Sequence, residues 1–585
     1  MDQTRTMHRA RTLAAALLAT SIAAAAQAQT IYPLTRAEIL SGTKFDFKVE
    51  FPGAPAAADV KVTINGQNPA TLFGKPAVFM QKEEGLDHSA YWIRDVTIKD
   101  AGNYTVEATA AGKTVAVKWE VFATQAPRAA KNVILFIGDG LTIAHRTAAR
   151  ILSRGIHEGR YGGELVIDDM PHMALVSTAG TDSIVTDSAN SMSAYATGHK
   201  SCVNALGVYC ARNRNTLDHP KVETLAEIAR RHSLAVGVVT NTEIEDATPA
   251  GMVAHTRRRA DYNDIVRMFY DTRADVIMGG GSPNFLPRTT NGSKRTDDLD
   301  YIHLFEAAGY RFVTTDTEMK AAGQAGVGQL LGLFNTGNID GALDRFFLKR
   351  GTVQRFQDQP DLADQVRVSL DILARKPGGF VLMVESGRID KYSHSLDAER
   401  AIYDTIMLDN AVRVARDFAN RNNDTMIIVV ADHAHPVSIV GTYNDDRPGN
   451  TPREKLGVYD QAVEPNYPPP NADGYPPSVD VSRRIAMNFG TYPDWCFNTK
   501  PYLDGENVPA VAGLIPGTYI ANEKYCILPG AVRIPGNLPT NVNAEVHSGD
   551  DVVLTAMGPG SEQFNGRIDN TRVFRFIANA LKLGE

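Results

Sequence analysis

Ser188 lies in the string T-D-S-A-N-S-M-S-A-Y-A-T-G, Thr186 to Gly198, where a hydroxyl is set among small residues that allow close approach. A serine hydroxyl is a weak nucleophile at its free pKa and needs a base, a depressed pKa or a metal to activate it. Taken alone, the string describes equally well a small-residue helix packed tightly on a sheet. The residues that accompany it point further. Asp139 closes the apolar run N-V-I-L-F-I-G-D-G of Asn132 to Gly140, and Glu385 follows F-V-L-M-V, with Asp390 and His394 just beyond. Asp432 and His433 follow I-I-V-V-A in a stretch that runs on to His435, and His547 stands in E-V-H-S-G-D-D ahead of V-V-L. Singly, each has an ordinary reading, since an Asp after a strand caps helices and a loop histidine is solvated. Jointly, three imidazoles and four carboxylates beside apolar strands can converge on one sheet edge, where so much acid is costly unless cations neutralise it. A mixed Asp/His set suits zinc, and an oxygen-only position suits magnesium.

The elements that must carry these residues are short, continuous apolar runs, the pattern of strands buried on both faces of a parallel sheet. Asp139 at the end of such a run falls at a carboxyl edge, where open α/β folds bind ligands. Asp390 and His394 are four residues apart, so one helical turn puts both on one face. The predicted fold class is α/β, a doubly wound, mainly parallel sheet with helices on both faces. Residues 31–124 separate as an all-β unit with alternating runs at Phe45–Phe51 and Val60–Ile64. Asp100-Ala101-Gly102-Asn103-Tyr104 resembles the tyrosine corner of an immunoglobulin-like β-sandwich. Gln125 to Lys131 reads as a linker. Residues 437–543 form a loop-rich insertion, dense in Pro, Gly, Asn and Tyr and without helical periodicity. Val573, Phe574, Phe576, Ile577, Ala580 and Leu581 predict a final amphipathic helix over Asn570 to Leu583.

In type and order these segments resemble the alkaline phosphatase family, over residues 128–585 with the insertion included. The resemblance implies a phosphate monoester hydrolase working through a phosphoserine at Ser188, with two zinc ions and one magnesium. Asp390, His394 and His547 would hold one zinc. Asp139, Asp432, His433 and the Ser188 oxygen would hold the other. Asp139 would also reach a magnesium completed by Glu385 and by Thr248 of E-D-A-T-P-A-G. Arg259 falls where the family keeps its phosphate-binding arginine, with Asp187 placed to orient it. Asp246 and Lys391 match the bacterial form, where animal members tend to have His, which favours magnesium over a third zinc. The insertion would be crown-like, capping the active site or meeting a homodimer partner.

Composition fits an exported enzyme. Residues 1–28 read as a secretory signal, with Arg5, Arg9 and Arg11 ahead of an alanine-rich apolar run and an Ala26-Gln27-Ala28 cleavage site. Its removal moves the formal charge from −7 to about −9, which argues against a nucleic-acid-binding surface. No other stretch approaches a transmembrane length, so a periplasmic or secreted protein without a membrane span is expected. Four cysteines then suggest two disulfides, and spacing favours Cys202 with Cys210 and Cys496 with Cys526. Two alternatives stay open. One is a phosphodiesterase of the same metal architecture; a sulfatase would need a Cys/Ser-x-Pro-x-Arg motif that Ser188 lacks. The other is a phosphate-scavenging or adhesive binding protein.

Overall fold

The computed structural model describes residues 28–585 apart from residue 126, so the predicted signal segment lies almost wholly outside the described residues. The chain divides into two compact units. One comprises the N-terminal part to Thr124 together with Val208–Glu223 and Gly584–Glu585; the other comprises Gln125–Gly207 and Thr224–Leu583.

The smaller unit contains two four-stranded sheets. In one, Thr30–Tyr32, Phe45–Pro52, His88–Val96 and Val78–Met80 pair antiparallel throughout. In the other, Lys113–Phe122 pairs antiparallel with Gly102–Ala110 and parallel with Ala37–Leu40, while Val60–Ile64 closes the far edge. Phe45, Phe47, Val49 and Phe51 alternate into a core with Ile64, Val106 and Trp119. Tyr104 Oη donates to the Asp100 carbonyl at 2.8 Å. The run Phe45–Phe51 is buried on its second face as well. The reason is the segment Val208–Glu223, which was expected to belong with the catalytic part of the chain: Asn213 accepts from Lys48, and Glu50 accepts from the Arg212 amide.

The larger unit is built on a ten-stranded sheet. Its order is Arg311–Val313, Leu330–Leu333, Val276–Gly280, Ala235–Glu243, Phe380–Ser386, Asn132–Gly138, Thr425–Val430, Val552–Met557, His172–Ser177 and Asn565–Asp569. Val552–Met557 runs antiparallel to both its neighbours and every other pair is parallel. The three central strands Phe380–Ser386, Asn132–Gly138 and Thr425–Val430 have no exposed residue, as continuous apolar runs require. Their register sets Glu385 beside Ile137 and Val430 beside Ile137, so their carboxyl ends finish level. The last helix runs from Thr571 to Leu581 and buries Val573, Phe574, Ile577, Ala580 and Leu581.

The insertion holds more regular structure than its composition suggested. Val437–Asn444 pairs with Leu456–Gly457 and Arg483–Phe489, Trp495–Phe497 with Val532–Ile534, and Ala510–Ala512 with Tyr519–Ala521. Cys496 is disulfide-bonded to Cys526 with a Cα–Cα distance of 5.0 Å. Cys202 and Cys210 are each disulfide-bonded too, and among the described residues no cysteine is free. Among the described residues no helix is long and apolar enough to cross a membrane.

Candidate active site

Every residue expected at the site reaches the carboxyl edge of the central strands. Asp139 follows Asn132–Gly138 directly, and Asp432 and His433 follow Thr425–Val430. Beyond Phe380–Ser386 the helix Arg388–His394 carries Asp390 and His394 one turn apart. His547 reaches the same edge because Val552–Met557 runs against its neighbours, so the residues before it emerge where the others end; Ala434 bridges to Ser548 there. Ser188 is the first residue of the helix Ser188–Thr197, and Asp187 caps that helix by accepting from the Asn190 amide at 3.1 Å.

Two ligand-rich clusters result. In the first, Asp390, His394, His435 and His547 each offer an atom to one small space. Asp390 Oδ1 lies 3.2 Å from His394 Nε2, 3.4 Å from His547 Nε2 and 2.8 Å from His435 Nε2. The outer nitrogens are occupied: His394 Nδ1 lies 2.6 Å from the Glu545 carbonyl, His547 Nδ1 2.8 Å from that of Thr186, and His435 Nδ1 2.9 Å from Glu545 Oε2. This leaves the Nε2 atoms of His394 and His547 only 3.1 Å apart. Burial works to raise the Asp390 carboxyl, but His394, His435 and His547 hold it well below the usual range.

In the second cluster His433 Nε2 lies 3.1 Å from Asp139 Oδ1, 3.3 Å from Asp432 Oδ2 and 3.2 Å from Ser188 Oγ. Thr248 Oγ1 donates to Asp139 Oδ2 at 3.3 Å. Glu385 completes this side, where Thr240 and Thr242 both donate to its Oε2. Burial, with Asp432, Asp390 and Glu385 alongside, pushes the Asp139 carboxyl well above its ordinary value. Burial likewise carries Glu385 up to about 7 and Asp432 up to about 6. Asp139 Oδ1 and Asp432 Oδ2 are buried without a hydrogen-bond donor although both face His433 Nε2. Carboxylate oxygens without a donor that converge on one imidazole nitrogen fit a bound cation, and the mixed N/O set suits a borderline-soft one.

Beside these clusters Arg259 spans two carboxylates, with Nη2 2.7 Å from Asp246 Oδ1 and Nη1 3.4 Å from Asp187 Oδ2. Lys391 Nζ lies 2.9 Å from the other Asp246 oxygen. Burial opposes the positive charge of Arg259, but Asp246 and Asp187 raise its pKa. Of the adjacent arginines, Arg258 faces Asp261 with its side chain 65% exposed and Arg257 donates to the Val203 carbonyl, so Arg259 alone of the three enters the site. His435 and Glu545 join the site without having been assigned a role from sequence. The D-H-A-H spacing was the available signal, since in an extended stretch residues two apart share a side.

The chain matches a family model described as "Alkaline phosphatase" over residues 130–461. The chain is 34% identical over 372 residues to the alkaline phosphatase of Escherichia fergusonii, covering 57% of this chain and 75% of that protein. It is 29% identical over 491 residues to the tissue-nonspecific alkaline phosphatase isozyme of Gallus gallus, covering 78% and 85%. Among solved structures, the alkaline phosphatase of Thermus thermophilus superposes with a TM-score of 0.57 at 24% identity, covering 79% of this chain and 93% of that one, a likeness of fold.

Proposed function

The chain belongs to the alkaline phosphatase family and is a phosphoric monoester hydrolase, and from that premise we propose that it works through a phosphoserine at Ser188 with two zinc ions and one magnesium. Asp390, His394 and His547 would hold one zinc, and Asp139, Asp432, His433 and Ser188 the other. Asp139, Glu385 and Thr248 would hold the magnesium. When bound, these ions supply the positive charge that favours an ionised Ser188 and offsets charge on the phosphoryl and leaving oxygens. The observation that carries the proposal is the approach of Ser188 Oγ, Asp139 and Asp432 to a single nitrogen, His433 Nε2.

The chain's own residues divide the remaining work. Ser188 Oγ bonds to phosphorus as the ester P–O bond breaks, and the alcohol leaves on the opposite side. Water then attacks phosphorus, breaking the bond to Ser188 and releasing phosphate. Arg259 grips two phosphoryl oxygens as a fork, its plane fixed by Asp187 and Asp246. Lys391 shares Asp246 and so steadies that carboxylate from the other side. Backbone N–H groups at the start of Ser188–Thr197 face the same anion. Glu545 orients His435, and His435 orients Asp390.

We propose further that residues 31–124 are an immunoglobulin-like β-sandwich, supported by the paired four-stranded sheets and the Tyr104 to Asp100 hydrogen bond. Residues 437–543 would be a crown-like insertion of a catalytic domain spanning 128–585. Export to the periplasm or beyond accords with the disulfide-bonded cysteines.

A covalent intermediate can be intercepted. With an amino-alcohol acceptor in the buffer, part of the phosphoryl group should appear on the acceptor, with retention at a chiral phosphorus. Ser188→Ala should abolish that transfer and most turnover. Inversion at phosphorus, or wild-type turnover by Ser188→Ala, would overturn the assignment.

A further inference from the structure

The insertion encloses a cavity of about 220 Å³ whose lining includes Glu399, Tyr443, Tyr492, Trp495, Phe497 and Tyr502. Four of the aromatic side chains form a connected wall. Trp495 lies 5.1 Å from Phe497 and 6.1 Å from Tyr492, and Phe497 lies 6.1 Å from Tyr443, between ring centroids. Into this wall faces one carboxylate. Glu399 occupies the first turn of the helix Ala398–Asn422, where the helix dipole favours negative charge. No side chain among the described residues forms a hydrogen bond or ion pair with it.

The cations nearby are committed elsewhere. Lys500 lies 2.7 Å from Asp445 and 3.2 Å from Asp480, and Arg484 lies 2.7 Å from Asp445. Lys500 lines the cavity as well, but it and Arg484 are held by Asp445, so Glu399 feels Arg484 and Arg400 only at longer range than an ion pair. Trp495 adds a second unmet group, because its indole N–H is buried with no acceptor. A buried donor left without an acceptor is costly, and Glu399 meets the cavity as a half-buried carboxylate. Aromatic faces around one negative charge attract an ammonium, and the indole N–H matches a hydroxyl oxygen.

We propose that this cavity binds a small hydroxyalkyl ammonium, its cationic head held by Glu399 and the aromatic wall and its hydroxyl by Trp495. Choline and its neutral isostere 3,3-dimethylbutan-1-ol share shape and hydroxyl and differ in the charge. Titration calorimetry at pH 9, above the value of about 7 to which burial raises the Glu399 carboxyl, compares them directly. Choline should bind roughly tenfold tighter than the isostere, and Glu399→Gln should remove that preference. Trp495→Phe should weaken choline while leaving tetramethylammonium unchanged. Equal binding of choline and the isostere, no heat from choline at millimolar concentration, or an undiminished preference in Glu399→Gln would overturn the proposal. The comparison within the wild-type protein decides the matter even where a variant folds poorly. A second arm separates two sources of the ammonium. An unchanged rate on an aryl phosphate with choline present identifies a free cation as the occupant. Competitive inhibition that Glu399→Gln relieves identifies an ammonium carried on the substrate's alcohol.

Discussion

Two places in this molecule bury carboxylates next to histidine, and they resolve the charge in opposite ways. In the N-terminal unit Glu50, Glu83 and His88 lie close enough to hold a metal ion. There the chain provides its own cation: Lys48 Nζ sits 2.8 Å from both Glu50 and Glu83 and donates to Asn213 as well, while Trp92 Nε1 donates to Glu83 at 2.6 Å. Burial tends to raise the Glu83 carboxyl, but Lys48, Trp92 and His88 hold it below its ordinary value. At the active site burial and neighbouring carboxylates push Asp139 and Asp432 upward, and their inner oxygens have no donor. A cluster of acid and imidazole is thus not by itself a metal site. What distinguishes the two is whether the fold has already placed a cation among the acids.

The contrast breaks first at Lys48. Lys48→Met keeps the length of the side chain and removes its charge, leaving two buried carboxylates without their lysine. This should destabilise the N-terminal unit by about 3–5 kcal/mol. Urea unfolding followed by the fluorescence of Trp92 and Trp119, both in that unit's sequence, measures the loss. Phosphatase activity per folded molecule should stay at the wild-type level. A loss under 1 kcal/mol would mean that Lys48 is not the compensating charge.

A smaller effect sharpens the other side of the comparison. On the proposed mechanism Arg259 is the cation kept for the substrate, so Arg259→Ala should cost about 1.5–3 kcal/mol in kcat/KM and leave metal content intact. Arg258→Ala should behave as wild type, because Arg258 faces solvent and Asp261. Reversal of the two results would move the phosphate-binding role by one position.

How much of this was readable in the amino-acid sequence follows from which interactions are local. The central strands were legible because burial on both faces leaves a continuous apolar run, and Asp139, Glu385 and Asp432 could be placed by where those runs stop. Asp390 and His394 were legible from helical spacing. The roles of His435 and Glu545 were not, because each depends on a partner brought near by the fold: Glu545 is 110 residues from the imidazole it touches. The segment Val208–Glu223 was assigned to the larger unit, since nothing in its composition signals that it pairs with Asp46, Lys48 and Glu50 far upstream. The insertion read as irregular because most of its strands are only two or three residues long, too short for alternation to register.

Metal content is the most direct test of whether the active site, and not the N-terminal cluster, is completed by ions. The protein is stripped with chelator, equilibrated with zinc and magnesium, freed of excess and analysed for both elements alongside activity on an aryl phosphate. The account predicts an inactive stripped protein and recovery to two zinc ions and one magnesium per chain, with zinc reduced in Asp390→Asn and unchanged in Glu83→Gln. Full activity with no metal bound, or zinc lost on changing Glu83 and retained on changing Asp390, would contradict it.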